Sequence, residues 1–390
     1  MSPASNGPVV VVGAGLSGSR TCTELRKSGH VGPIVLIGDE PSLPYDRPPL
    51  SKAVLRGKRE PKPLKADYEG LRIDVRLATR VVGVDLTART LTTEAETLEF
   101  ESLVVATGAK PLRVPGAGEQ LVLRTDLDAI TLRDRLEPGA RIVVIGASWI
   151  GAEVAHAAVE KGCSVTGLEY QDAPLAMAFG AQIGARFAAW WEGATLRTGV
   201  RVESVEPDGV HLSSGEVVAA DAVVTGIGVR ACTDWLIGSG LALLPEVAVD
   251  DHLRASVPGV YAVGDVAAWW SRRYGRRLRI QHWHDASSGP AIVADGIVNG
   301  AGAELVHDPV PYFWSDQFGH RVEYVGHHGA EDDVTVEDLE SGWSARWRDR
   351  SGRLTAALAT DQPELIAGLR KQVLTEASAD GPSDLIDIAG

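Results

Sequence analysis

The chain has 390 residues, 44% apolar and 23% charged, the balance of a soluble globular protein of two or three domains. Its formal charge of −14 lacks the basic footprint of a nucleic-acid binder. No apolar run nears the roughly 20 residues that span a bilayer, and the opening MSPASNGP has neither the basic region nor the apolar core of a signal peptide, so a cytoplasmic protein is expected.

The first readable unit is VVVVGAGLSGSRTCTELRKSGHVGPIVLIGDE, residues 9–40. It runs strand, glycine turn, helix, loop, strand, acid. Asp39 stands 26 residues after Gly13, close to the spacing of a βαβ dinucleotide-binding unit. Small residues in such a turn let backbone approach a pyrophosphate, and the helix N-terminus offers that anion free N–H groups and a partial positive charge. PYDRPPLSK (44–52) follows, then SLVVATGAKP (102–111), an apolar strand ending in a Thr-Gly turn.

The unit then repeats as IVVIGASWIGAEVAHAAVEKGCSVTGLE, residues 142–169, with Glu169 23 residues after Gly146. Serine replaces the middle glycine of the usual G-x-G-x-x-G at Ser148. It adds only a hydroxymethyl group, which can turn away or bond a phosphate oxygen, so the turn is expected to function. A second Thr-Gly strand end, AVVTGIGVRA (222–231), mirrors the first. GVYAVGDVA (259–267) delivers Gly264 and Asp265 to a turn. From about residue 309 the chain alternates polar with β-branched and aromatic residues around glycine turns, which predicts an antiparallel sheet. PELIAGLRKQVLTEA (363–377) predicts an amphipathic helix.

Cys22, Cys163 and Cys232 lie far apart with no C-x-x-C pair, and are too few for an iron–sulfur cluster. They are expected to be structural thiols. The histidines show no metal-ligand spacing, so no metal site is expected.

Two nucleotide units, the Thr-Gly strand ends and the late Gly-Asp turn resemble the two-dinucleotide-fold flavoproteins of the glutathione-reductase type. With PYDRPPLSK, LRTDLDA (123–129), the region of Trp283 and PYFWSDQ (311–317), nearly the whole chain resembles the NADH-dependent ferredoxin reductases of bacterial oxygenase systems, the putidaredoxin reductase and rhodocoxin reductase type. The resemblance implies an α/β fold with two Rossmann-like dinucleotide-binding domains and a C-terminal α+β domain. Its FAD domain would comprise residues 1–115 and 245–308, its NADH domain 116–244 and its last domain 309–390. The redox cysteine pair of glutathione reductase itself has no counterpart here.

By the same resemblance, Gly13, Gly15, Ser17 and Gly18 would cradle the FAD pyrophosphate, and Asp39, with Glu40 as substitute, would take its ribose. Arg47, Val81, Ala106, Thr107, Gly108, Arg124, Gly264 and Asp265 would complete the FAD contacts. Lys52 and Trp283 would lie by the flavin ring. Where relatives carry an acid near Trp283, this chain has Gln281. For NADH, Gly146, Ser148, Ile150 and Gly151 would frame the turn, with Gly228 nearby. Glu153 would meet the nicotinamide amide, and Glu169 the adenosine ribose. A carboxylate there repels a 2′-phosphate, and Tyr170, Gln171 and Asp172 supply no arginine to accept one, so NADH is expected over NADPH. Lys52, Glu153 and Trp283 are the expected catalytic positions.

The implied reaction takes a hydride from NADH to FAD and passes single electrons to a [2Fe–2S] ferredoxin that serves a cytochrome P450 or another oxygenase. Arg272, Arg273, Arg276, Arg277 and Arg279 form a candidate docking patch for it, and Arg346, Arg348, Arg350 and Arg353 a second. The same scaffold would suit an NADH oxidase, a rubredoxin reductase or a signalling flavoprotein resembling apoptosis-inducing factor.

Overall fold

The computed structural model describes residues 6–376. Two parallel sheets carry its architecture. The first orders its strands Val260–Ala262, Ser102–Val105, Val9–Val12, Ile34–Ile37, Ile73–Arg76, so its edge strand arrives more than 150 residues after its neighbour in the sequence. The second orders Ala194–Arg197, Ser164–Leu168, Arg141–Ile145, Ala222–Thr225. Their central strands read as unbroken apolar runs because helices and loops cover both faces; Val9, Val11, Leu103 and Val104 are fully buried.

Each sheet carries a three-stranded antiparallel excursion, Val81–Asp85 with Thr90–Thr93 and Thr97–Glu99 in one, Val202–Glu206 with Gly209–Leu212 and Val217–Val218 in the other. The antiparallel pair Ala109–Pro111 and Val229–Ala231 joins the two halves. Helix Leu16–Lys27 lies against helix Trp283–Asn299, where Ser17 Oγ donates to the Ala286 carbonyl at 2.9 Å.

The C-terminal sheet is antiparallel, ordered Tyr312–Gln317, His320–Gly326, Leu354–Thr360, Trp343–Arg348, Asp333–Asp338. Its two faces do different work. Val325, Ala357 and Ala359 pack under helix Pro363–Glu376. Val322, Tyr324, Trp343 and Leu358 meet Phe179, Ile183 and Phe187 from the second nucleotide unit, with Trp149 against Phe313 at 4.6 Å between ring centres. The predicted terminal helix ends at Glu376, and residue 377 and the rest of the expected last domain lie outside the described residues. No helix among the described residues is long and apolar enough to cross a membrane.

Candidate functional site

The two glycine turns are built alike. Gly13 has φ +112°, and a Cβ there would stand 2.1 Å from the Ala106 carbonyl oxygen, so only glycine lets the turn pass the Ala106–Thr107 strand end. Gly146 has φ +93° and passes the Gly226 carbonyl in the same way, at 2.5 Å. Gly18 and Gly151 each press a helix onto its turn, their Cβ positions 1.9 Å from the oxygens of Gly13 and Gly146. Gly15 differs. It begins helix Leu16–Lys27 with no side-chain cap, and a Cβ there would meet nothing within 4 Å. The turn thus holds an open cradle over uncapped helix amides.

Ser148 fills the equivalent position of the second turn, and its hydroxyl turns inward to donate to the Gly226 carbonyl at 2.8 Å. It does not cap helix Trp149–Glu160, whose first amides stay free of side-chain partners. Glu169 accepts from the amides of Ala147 and Gln171, both at 2.8 Å, so the acid at the strand end also braces the loop. Ile150 is exposed beside the turn, and Gly228 has φ +111°.

Around the first cradle, Arg124 pairs with Asp265 at 2.7 Å and stands 3.3 Å from the Cβ position of Gly108. Arg47 pairs with Glu40 at 2.6 Å, and Tyr45 donates to the same carboxylate. Burial opposes the Arg47 charge, but Glu40 and Tyr45 outweigh it and its pKa rises. Asp39 is exposed, whereas Glu40 is committed to this network. Thr107 Oγ1 donates to the Cys232 carbonyl at 2.8 Å. Val81 pairs with Thr93 in the first excursion. The Ser17 hydroxyl is spent on helix packing, and Gly264, φ +75°, leaves it room.

Trp283 Nε1 donates to Asp46 at 2.6 Å, and the Arg20 guanidinium lies 5.2 Å over its ring. Next to it, Gln281 Nε2 and His282 Nδ1 are buried with no hydrogen-bond partner. Burial lowers the His282 pKa to about 4, against the opposing pull of Asp265, so this imidazole is neutral near pH 7.

Lys52 and Glu153 are one site. Lys52 sits on a π-helical turn, Leu50–Val54, a geometry often found at functional positions. Its ammonium bonds both oxygens of Glu153, at 2.8 and 2.9 Å. The Glu153 side chain is only 4% exposed. It also accepts from Ser51 Oγ, from Ser315 Oγ at 2.5 Å and from the Asp316 amide at 3.3 Å. One turn along the same helix, His156 bonds Arg56 at 2.9 Å and stacks on Phe318, and Glu160 pairs with Arg56 at 2.8 Å. Burial, helped by Arg56, lowers the His156 pKa. Lys52 and Glu153 are legible in the sequence but their pairing is not, and neither are Ser51, Ser315 and Asp46, whose sequence signal is their place inside PYDRPPLSK and PYFWSDQ.

The arginine run of the candidate docking patch divides between outward and inward side chains. Arg272, Arg276 and Arg279 are exposed, but Arg272 pairs with Asp251 and Arg279 with Glu246. Arg277 turns inward onto the carbonyls of Val249 and Ala268, and Arg273 reaches the Leu374 carbonyl. In the second run, Arg346 pairs with Glu337, Arg348 with Glu376, Arg350 with Glu331 and Arg353 with Asp349. Among the described residues no group of three or more His, Cys, Asp or Glu could hold a metal ion. Cys22, Cys163 and Cys232 are unpaired.

Two glycine cradles, each at the head of a helix and at the end of parallel strands, and a buried Lys–Glu pair with its acid on the helix that the second cradle begins define the site. Residues 7–289 match the family model for pyridine nucleotide-disulphide oxidoreductases, and residues 312–389 match the reductase C-terminal model. The chain belongs to the pyridine nucleotide-disulphide oxidoreductases. Within this family it is 34% identical to a chlorobenzene dioxygenase ferredoxin reductase component of Cupriavidus sp. strain PS12, over 98% of this chain and 95% of the relative. It is 33% identical to rhodocoxin reductase of Rhodococcus erythropolis over 94% of this chain and 90% of that one. Among solved structures, Fdr9 matches with a TM-score of 0.92 at 48% identity, covering 95% of both chains. The covalent putidaredoxin reductase–putidaredoxin complex matches with a TM-score of 0.89 at 28% identity, covering 95% of this chain and 94% of that one.

Proposed function

We propose that this oxidoreductase is an NADH-dependent ferredoxin reductase that uses FAD and serves an oxygenase. The observation that carries the reading is the buried Lys52–Glu153 pair, its acid on the helix that the second of two glycine cradles begins, in a chain without a redox cysteine pair. The relatives named as ferredoxin reductase components of oxygenase systems support the acceptor. The sheet containing strands 9–12 and 260–262 supports an FAD domain of residues 1–115 and 245–308, with an NADH domain at 116–244 and a last domain from 309. Three unpaired cysteines fit a cytoplasmic setting.

The residues present fit FAD in the first cradle. Gly15 leaves open space where a side chain would stand, the helix amides are uncapped, and Gln281 and His282 hold buried polar atoms without partners. Gly13, Gly15, Gly18, Arg47, Ala106, Thr107, Gly108, Arg124 and Asp265 would hold the cofactor, with Asp39 and Glu40 toward its ribose. When bound, a flavin accepts a hydride and releases electrons one at a time. Gly146, Ile150 and Gly151 would hold the NADH pyrophosphate, with Glu169 rejecting a 2′-phosphate. The Lys52 ammonium would place fixed positive charge where a reduced ring gains negative charge, and Glu153 fixes that ammonium's position. Arg276, with the half-exposed Arg272 and Arg279, is the part of the arginine run available to a ferredoxin.

Anaerobic stopped-flow absorbance tests the reading. FAD-loaded protein should be bleached fast by NADH and far more slowly by NADPH. Reoxidation should be rapid with a [2Fe–2S] ferredoxin and slow with oxygen or rubredoxin. Reduced protein that no ferredoxin reoxidises would overturn it.

A further inference from the structure

We infer that Ser315, from the C-terminal sheet, is a positioning residue for the Lys52–Glu153 pair, so that the third domain is a working part of the hydride-transfer site rather than a cover over it. The inference rests on the proposed NADH-to-flavin reaction and adds a residue to it.

Glu153 lies on helix Trp149–Glu160 of the second nucleotide unit, while Ser51 and Lys52 belong to the first. Left to these three, the carboxylate would be held from one side. Ser315 Oγ and the Asp316 amide supply the other side, both on the same oxygen, Oε1, that takes Lys52 Nζ at 2.8 Å. Ser51 takes Oε2. Donors from three domains therefore fix the carboxylate plane, and that plane fixes the ammonium.

The geometry around Ser315 leaves it little freedom to do otherwise. Its side chain is buried on the sheet face that also presents Phe313 to Trp149. Gln317 Nε2 donates to Ser315 Oγ at 3.1 Å, which leaves the hydroxyl proton for Glu153. Three residues after Ser315, Phe318 stacks on His156, one turn along the helix from Glu153. The strand Tyr312–Gln317 and the residue after it are thus registered against the helix at Phe313, Ser315 and Phe318. An alanine at 315 would leave the aromatic contacts and remove the charge-assisted bond to Glu153 together with the acceptor of Gln317 Nε2, both of which Ser315→Thr keeps.

The test compares wild type, Ser315→Ala and Ser315→Thr as full-length FAD-loaded proteins. Single-turnover bleaching by NADH gives a limiting rate and a dissociation constant. In Ser315→Ala the limiting rate is expected to fall about 10- to 100-fold, the scale of a reacting geometry loosened by an ångström, with the NADH dissociation constant within about threefold. Ser315→Thr, which keeps a hydroxyl, should recover most of the rate. Hydrogen–deuterium exchange on the FAD-free chains gives a readout independent of turnover: amides of 149–160 should exchange faster in Ser315→Ala only. If wild type bleaches with NADH and Ser315→Ala bleaches at the same limiting rate, the inference fails and the proposed function stands. If Ser315→Ala weakens NADH binding and lowers the melting temperature as much as it slows bleaching, and Ser315→Thr does not recover, Ser315 is merely structural and the inference also fails. If wild type is not bleached, the proposed function itself fails.

Discussion

Replacing Lys52 with methionine removes the cation paired with a buried carboxylate. At 2.8 Å an effective dielectric constant of about 20 gives roughly 6 kcal/mol of attraction between the two groups. Desolvation of both charges consumes much of that, and removing one member of a buried pair typically costs about 3–5 kcal/mol. Here the cost should sit at the low end, about 3 kcal/mol, because Ser51, Ser315 and the Asp316 amide still bond Glu153 and the Lys52 side chain is 18% exposed. Glu153→Gln keeps shape, leaves Lys52 without its acid and should cost about 2 kcal/mol. In the double variant no charge is stranded, so the two losses should fall short of additivity by about 2 kcal/mol. Urea denaturation of the four full-length chains, followed by circular dichroism and tryptophan fluorescence, measures this. Additivity within about 0.5 kcal/mol would refute the reading that the two side chains form one electrostatic unit.

Gly15→Ala should fold like wild type, since its Cβ meets nothing, yet bind FAD at least about tenfold more weakly because the methyl enters the cradle; Gly13→Ala should fail to fold stably, by several kcal/mol of clash and strain, and flavin fluorescence with thermal melts separates the two. Burial lowers the pKa of His282 and of His327 to about 4 from the usual 6.5, so the unfolded chain binds more protons between those values. Stability should therefore fall as pH drops from about 6.5 to about 4, by up to roughly 3 kcal/mol per imidazole, and His282→Gln should flatten that profile in a pH series of melts. Glu169→Ala removes the carboxylate that braces two loop amides and should raise the NADH dissociation constant about tenfold or more while narrowing the gap to NADPH, which calorimetry checks. Arg276→Glu should slow ferredoxin reduction several-fold at low salt and little at high salt, leaving bleaching by NADH unchanged.

The duplicated strand–turn–helix units were legible because everything that specifies them lies within about 30 residues: apolar runs for buried strands, glycines where backbone crosses backbone, an acid at the next strand end. Local chemistry could also admit Ser148, though only the structure shows its hydroxyl turned onto Gly226 rather than outward. The arginine run shows that charge in sequence says nothing of direction: Arg276 stays outward, Arg277 points into the hairpin and Arg272 meets an acid 21 residues away. The same limit hid the centre of the site. Lys52 and Glu153 are 101 positions apart, Glu153 and Ser315 are 162 apart, and Asp46 and Trp283 are 237 apart. No periodicity spans such distances. By itself the sequence determined two places where a dinucleotide could lie, since turn geometry is a property of adjacent residues. Packing of the 50–54 turn and the 312–317 strand against one helix decided how a lone lysine and a lone glutamate became a buried pair, since only a folded interior removes water from both at once.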